Sequence, residues 1–321
     1  MKFGFSRTRR AFLVATATGA LMTATPLVSS AGAATAPAPT VTAKGAFVLD
    51  SSTGATKFSK AADTKRPMAS TTKIMTAYVV LTTSGLDLNR RVTVQQAHKD
   101  YVTKNPYSSA YLRVGDKVRV GDLLDGMLAP SGCDAAYALA DTFGKGTTRA
   151  ERTKNFIAQM NTKAKALGLA NTKFDSFDGN SPNSSANNYT TPRDLAKLAR
   201  EAMKNSTFRA IVQSTGVGGT AIDPQGKPYT YSWANSNRLL GSYSGANGIK
   251  TGTNTPAGPC LVFSATRDGK SVIGVVLGAS TVDTRYTDAK KMLDYTLPPL
   301  KTGMRSGEFK LRELPAGANQ D

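Results

Sequence analysis

A chain of 321 residues with 40% hydrophobic content and a formal charge of +19 is long enough for one large domain or two ordinary ones, and it can bury a sizeable core. Two cysteines, Cys133 and Cys260, exclude a disulfide scaffold, and a single histidine, His98, removes most of the scope for His-based metal sites and Ser-His triads. The positive charge seeks polyanions, yet no RNA- or DNA-binding motif accompanies it, so nucleic acid is not expected as a partner.

The chain opens with a basic head, MKFGFSRTRR, then an apolar stretch from Phe12 to Val28 and a small-residue Ala-x-Ala site at Ala31 and Ala33. That pattern predicts a cleaved export signal over residues 1–33, with Thr8 to Val14 also fitting a twin-arginine signal. Thr and Gly interrupt the apolar run short of about 18 clean residues, which argues against a retained anchor. Loss of Lys2, Arg7, Arg9 and Arg10 leaves +15 on the product. An exported cation of that size meets acidic lipid head groups and wall polymers first.

Residues 34–44, rich in Ala, Pro and Thr, are expected as a linker. Gly45 to Lys60 reads as a hairpin of two short strands around the turn formers Ser51 to Gly54. Met68 to Thr83 carries Ile74, Met75, Ala77, Tyr78 and Leu81 at helical spacing, with Ser70 or Thr71 as the cap. His98 lies in a charged run and is expected at the surface. Helical patterns recur at 120–129, 133–143, 148–169 and 191–205, separated by Gly/Ser/Asn-rich loops, the longest at 176–190. Strand patterns return at 246–253 and at 260–280, the latter an apolar pair turning at Asp268 to Lys270, and a helix at 283–296 closes the fold. Strands at both ends with helices between predict an α/β chain. One sheet is made from the chain termini, and an all-helical insertion at about 86–205 lies within a domain at 45–300. Residues 301–321 read as a polar tail.

Three short segments carry the chemistry. In Ser70-Thr71-Thr72-Lys73 a three-residue spacing puts the ammonium beside the hydroxyl, where a partly desolvated Lys near other cations takes the Ser proton. The helix start adds a field and a free N–H for a developing oxyanion. Ser131-Gly132-Cys133 is the second segment. Lys250-Thr251-Gly252 on a strand is the third, supplying a cation for a carboxylate, a hydroxyl, and a point where a peptide backbone approaches closely along a strand edge.

In this order the segments match Ser-x-x-Lys, Ser-x-Asn and Lys-Thr-Gly, the signature of penicillin-binding proteins and class A β-lactamases. The chain resembles the low-molecular-mass penicillin-binding proteins, the serine D-Ala-D-Ala peptidases, from about Gly45 to Leu297. The likeness includes RPMASTTKIMTA, VGDLLDGMLAPSGCDAAYALAD, FDSFDG, TPRDLAKLA and GIKTGTNTPAGPCLVFSA. The resemblance implies the β-lactamase/transpeptidase-like fold, an antiparallel sheet flanked by helices with a helical subdomain. It also implies an acyl-enzyme on peptidoglycan stem peptides, with β-lactam antibiotics as inhibitors and neither cofactor nor metal. Ser70 would be the nucleophile, Lys73 the base and Ser131 the proton relay, and the N–H groups of Ser70 and Thr253 the oxyanion hole. Lys250, Thr251, Gly252 and Thr253 would hold the substrate and its terminal carboxylate. Arg285 would be a second carboxylate-binding cation; the alternative for it is an exposed residue at a helix start.

The departure is Cys133, where the family usually has Asn. A thiol is smaller and a weak hydrogen-bond partner in both directions, so substrate positioning should change, and cations nearby would make it reactive. Some transpeptidase-leaning members carry Ser-Gly-Cys. Two other readings stay open. A class A β-lactamase needs a carboxylate base, for which Glu151 to Asn155 is a superficial match, although Glu151 is spaced like an exposed helix residue. A non-catalytic wall-polymer-binding protein with a degenerate site is the other.

Overall fold

The computed structural model describes residues 1–2, 4, 11, 37–181, 187–299 and 309–319. The stretch that carries most of the export-signal reading, with its Ala31 to Ala33 site, lies outside the described residues. The chain divides into a leading unit, Met1–Pro37, and a second unit, Ala38–Asp321.

In chain order that unit runs β1 (Gly45–Asp50), β2 (Thr56–Lys60), β3 (Arg66–Pro67), a 3-10 turn (Ala69–Thr72), α1 (Lys73–Leu81), β4 (Arg91–Thr93), α2 (Gln96–Thr103) and β5 (Lys117–Arg119). There follow α3 (Val120–Leu128), α4 (Cys133–Phe143), α5 (Arg149–Ala166), β6 (Tyr189–Thr190), α6 (Pro192–Ala202), α7 (Ser206–Gln213), β7 (Gly216–Ile222) and β8 (Pro228–Ala234). The last elements are β9 (Ala246–Gly252), β10 (Cys260–Arg267), β11 (Lys270–Leu277) and α8 (Val282–Thr296).

The two ends of the chain make the main sheet, ordered β2-β1-β11-β10-β9 and antiparallel throughout. Helices cover both of its faces, so alternate residues of one strand enter different cores. In β1, Phe47 and Leu49 join the large core shared with the helices, whereas Ala46 and Val48 join a second core with Tyr286, Met292 and Leu293 of α8. Burial on both sides explains why GAFVL reads as a continuous apolar run rather than an alternating one. β9 closes one edge of the sheet and has a partner strand on one side only.

The insertion opens with α2 to α5, and α4 packs against α2, α3 and α5 and against α1, which precedes the insertion. Here the expectation of an all-helical subdomain is corrected. A four-stranded sheet, β4-β5-β7-β8, sits among the helices, and α6 packs on β1, β10 and β11 of the main sheet. β4 and β5 are three residues long, so local pattern carries little of their stability; they are held by pairing, β4 on β5 and β5 across a gap of about a hundred residues on β7, which itself pairs along its length with the neighbouring β8.

His98 is a second correction. It is 1% exposed, because it is the third residue of α2 and turns its ring inward: Nδ1 accepts from the Gln95 N–H at 3.1 Å and Nε2 lies 3.2 Å from Asp141 Oδ2. Lys99, a charged neighbour that suggested a surface site, is itself exposed. Burial, ahead of the opposing pull of Asp141, holds its pKa below the usual histidine value.

The lead-in expected as a linker is in part structural. Val41 and Ala43 are buried, and the backbone N–H groups of Thr42 and Ala43 donate to the Asp288 carboxylate. The end of the chain is not a loose tail either: Phe309 and Leu311 pack against the second core, and Arg312 and Asn319 bond back to the body.

Candidate active site

Ser70 stands in the 3-10 turn that opens α1, and residues three apart in such a turn eclipse one another. Lys73 Nζ accordingly donates to Ser70 Oγ at 2.9 Å. The expected helix cap is absent: neither the turn nor α1 has a side-chain cap bond, and Thr71 Oγ1 donates to Met68 O at 2.6 Å. Ser70 is 6% exposed and Lys73 fully buried.

Two more groups converge on the same ammonium. Lys73 Nζ donates to Asp178 O at 3.0 Å and to Cys133 Sγ at 3.3 Å. Cys133 is the first residue of α4, so the Ser131-Gly132-Cys133 loop lies at a helix start against Lys73. Ser131 has φ of 67°, in the left-handed region, and its buried Oγ has no hydrogen-bond partner among the described residues. A strained non-glycine backbone and an orphaned buried hydroxyl each cost free energy, and both fit a group whose partner arrives with a ligand. The sequence left open whether the cysteines bridge; Cys133 and Cys260 are both free and buried, and burial pushes the Cys260 thiol up to about 11.

β9 supplies the third segment as an edge strand. Lys250, Thr251 and Gly252 are buried, and Lys250 Nζ donates to Thr251 O at 3.1 Å. Gly252 is obligatory at its place: a Cβ there would sit 2.8 Å from Ser70 N and 2.9 Å from Thr71 N, so the strand end lies directly against the nucleophile turn. Thr253 follows, and its Oγ1 accepts from Arg285 Nη1 at 3.1 Å. Arg285 is 1% exposed, also donating to Cys260 O and Tyr286 Oη, so the exposed alternative for it is excluded. Thus the structure joins Ser70, Lys73 and Cys133 directly, sets Gly252 against Ser70, and ties Arg285 to Thr253.

Sequence reasoning missed several contributors. Ser236 Oγ lies 2.6 Å from Thr251 Oγ1 in a loop with no pattern of its own. Asp178 and Asn180 belong to the long loop at 176–190, where a Gly/Ser/Asn composition conceals tight placement. Gly179, with φ of 104°, brings that loop so near Ala69 that a Cβ would stand 2.1 Å from Ala69 O. Tyr107 lines the same cleft as Asn180 and Ala69; burial, then Asp178 and Cys133, raise its pKa. Glu151 is placed elsewhere. It closes a capping box at the start of α5, and the backbone N–H of Thr148, with the Thr147 side chain and N–H, lowers its pKa to about 2.

The family profile described as D-alanyl-D-alanine carboxypeptidase, peptidase S11, matches residues 32–281. The chain belongs to that family. A D-alanyl-D-alanine carboxypeptidase from Streptomyces sp. strain K15 is 50% identical over 290 residues, covering 90% of this chain and 98% of that one. The crystal structure of the Streptomyces K15 DD-transpeptidase superposes with a TM-score of 0.79 at 52% identity, covering 81% of this chain and 98% of that one. D-alanyl-D-alanine carboxypeptidase DacC of Escherichia coli K12 is 35% identical over 286 residues, 83% of this chain and 66% of that protein. This S11 peptidase therefore has the β-lactamase/transpeptidase fold and is a serine-type D-Ala-D-Ala carboxypeptidase/transpeptidase by class.

Proposed function

We propose that the protein cleaves the terminal D-Ala-D-Ala bond of peptidoglycan stem peptides through an acyl-enzyme on Ser70, and that the acyl group passes to water or to an amine of a neighbouring stem. The observation that carries this reading is the 2.9 Å contact of Lys73 Nζ with Ser70 Oγ inside a buried site. Lys73 accepts the Ser70 proton as Oγ attacks the carbonyl carbon. The negative charge gathers on the carbonyl oxygen, facing the N–H groups of Ser70 and Thr253. Ser131 passes the proton to the leaving D-Ala amine as the C–N bond breaks. Lys250, with Thr251 and Thr253, holds the terminal carboxylate, and Arg285 fixes Thr253 from behind. Deacylation repeats the sequence with water or an acceptor amine in place of D-Ala. Penicillins acylate the same oxygen and leave slowly, because Glu151 is engaged as a helix cap.

Such a substrate lies outside the cytoplasm, which fits export by the leader at residues 1–33, and the +15 charge favours an anionic wall or membrane surface as the working place. Fluorescent penicillin is expected to label the wild type and not Ser70→Ala. With a stem-peptide analogue and millimolar glycyl or diamino acceptor, transpeptidation product is expected in substantial excess over hydrolysis. A product ratio indifferent to acceptor would make the enzyme a plain carboxypeptidase, and rapid penicillin turnover would make it a β-lactamase.

A further inference from the structure

Cys133 leaves the Ser-x-Asn position without a carboxamide, and a carboxamide stands beside it on the facing loop. Asn180 Nδ2 lies 3.5 Å from Cys133 Sγ and 3.0 Å from Asp178 Oδ2, so both amide hydrogens are directed inward. Chemistry fixes that orientation, since turning the amide over would set its carbonyl oxygen against a carboxylate. Asp178 is itself held: Ser176 Oγ donates to its Oδ1 at 2.6 Å, the Asn180 N–H donates to the same atom, and its backbone oxygen accepts from Lys73. Asn254 Nδ2 fastens the next residue by donating to Gly179 O at 3.1 Å. The half-buried Asn180 lines a cleft of about 260 Å³ with Tyr107, Ser181 and Thr255, and Ala69, the residue before Ser70, is also part of its lining.

We propose that Asn180 is a substrate-binding residue that supplies from the loop the amide absent at position 133. Its Nδ2 holds the Cys133 sulfur beside Lys73. Its Oδ1, the atom of the side chain left to a ligand, accepts a backbone N–H of the acyl-donor peptide in the cleft. The inference rests on the Ser70 acyl-enzyme reading and adds the contact by which the donor peptide is recognised. It predicts that Asn180 and residue 133 are coupled: with Asn restored at 133, the loop amide becomes largely redundant.

The test is a double-mutant cycle on the rate of Ser70 acylation by a thiolester analogue of the stem peptide. Asn180→Ala should slow acylation about tenfold beside Cys133, the effect of about one lost hydrogen bond, and about twofold or less in the Cys133→Asn background. Acylation by penicillanic acid, a β-lactam with no side-chain amide, should fall much less than acylation by the thiolester in Asn180→Ala, with its melting temperature unaltered. Equal losses in both backgrounds, or equal losses for the two acylating agents, would overturn the proposal, as would no loss at all. If neither agent acylates Ser70 in the unmodified protein, the acyl-enzyme mechanism falls and this inference with it.

Discussion

At position 133 a planar amide with two strong donors and a strong acceptor is replaced by one polarisable sulfur atom, which bonds weakly both ways. In this chain the sulfur accepts from Lys73 at 3.3 Å and from Asn180 at 3.5 Å, so it acts as an acceptor for cations and amides and offers the substrate little. The exchange alters one partner of Lys73 but leaves its contact with Ser70, which is made between the 3-10 turn and the first residue of α1 and does not run through residue 133. Ser70 in Cys133→Asn is therefore expected still to be acylated by penicillin. The acyl group is held through the groups around residue 133, so the ratio of transpeptidation to hydrolysis at fixed acceptor should shift. A ratio identical to that of the wild type would show the cysteine to be incidental to partition.

Elements differ in how openly they were written in the sequence. The β1–β2 hairpin, α4, α5 and the β10–β11 pair were legible because their apolar periodicity and turn residues agree with their final packing. The site was legible for a related reason. Ser70 and Lys73 meet inside one turn, Ser131 and Cys133 inside one loop, and Lys250 to Gly252 along one strand, so short-range spacing contains the geometry. β4 and β5 were not legible, since they are three residues long and are held by pairing with distant partners, and the β7–β8 hairpin was missed as well, although Tyr229, Tyr231 and Trp233 alternate along β8. Ser236 and Asn180 act from loops, whose positions only tertiary contacts determine. Element α3 shows such a tertiary effect on a titrating group. Arg119 spends its fork on Asp122, at 2.7 and 2.9 Å, and Asp125 one turn on is left to burial and to the like charge of Asp122, which push its pKa up to about 7. The unfolded chain ionises near 3.8, so folding loses stability as pH rises from about 4 through 7, and the loss is complete above it. Asp125→Asn is expected to raise stability by on the order of 2 kcal/mol at pH 8 and by little at pH 4. Thermal melts at the two values check this; a gain independent of pH would refute it.

On the scale of the whole molecule, the two walls of the site come from parts of the chain far apart in sequence, and the described end of the chain spans both. Arg312 donates to the backbone oxygens of Asn235, Leu240 and Asn237, beside Ser236, which meets Thr251 of β9. Asn319 donates to Ser109 O and to Pro130 O, the residue before the strained Ser131. Residues 309–319 thus run as a strap from the β9 wall to the Ser131 loop. Phe309 and Leu311 anchor it on the second core, a partial burial worth on the order of 2 kcal/mol. A chain ending at Pro299 is expected to melt about 5 °C lower. Asn319→Ala removes only the bonds to the Ser131 side, so it should slow Ser70 acylation severalfold while lowering the melting temperature by much less than the truncation. Melting and acylation rates on the two variants separate anchoring from positioning: if Asn319→Ala acylates at the wild-type rate, the strap stabilises the fold without shaping the Ser131 loop.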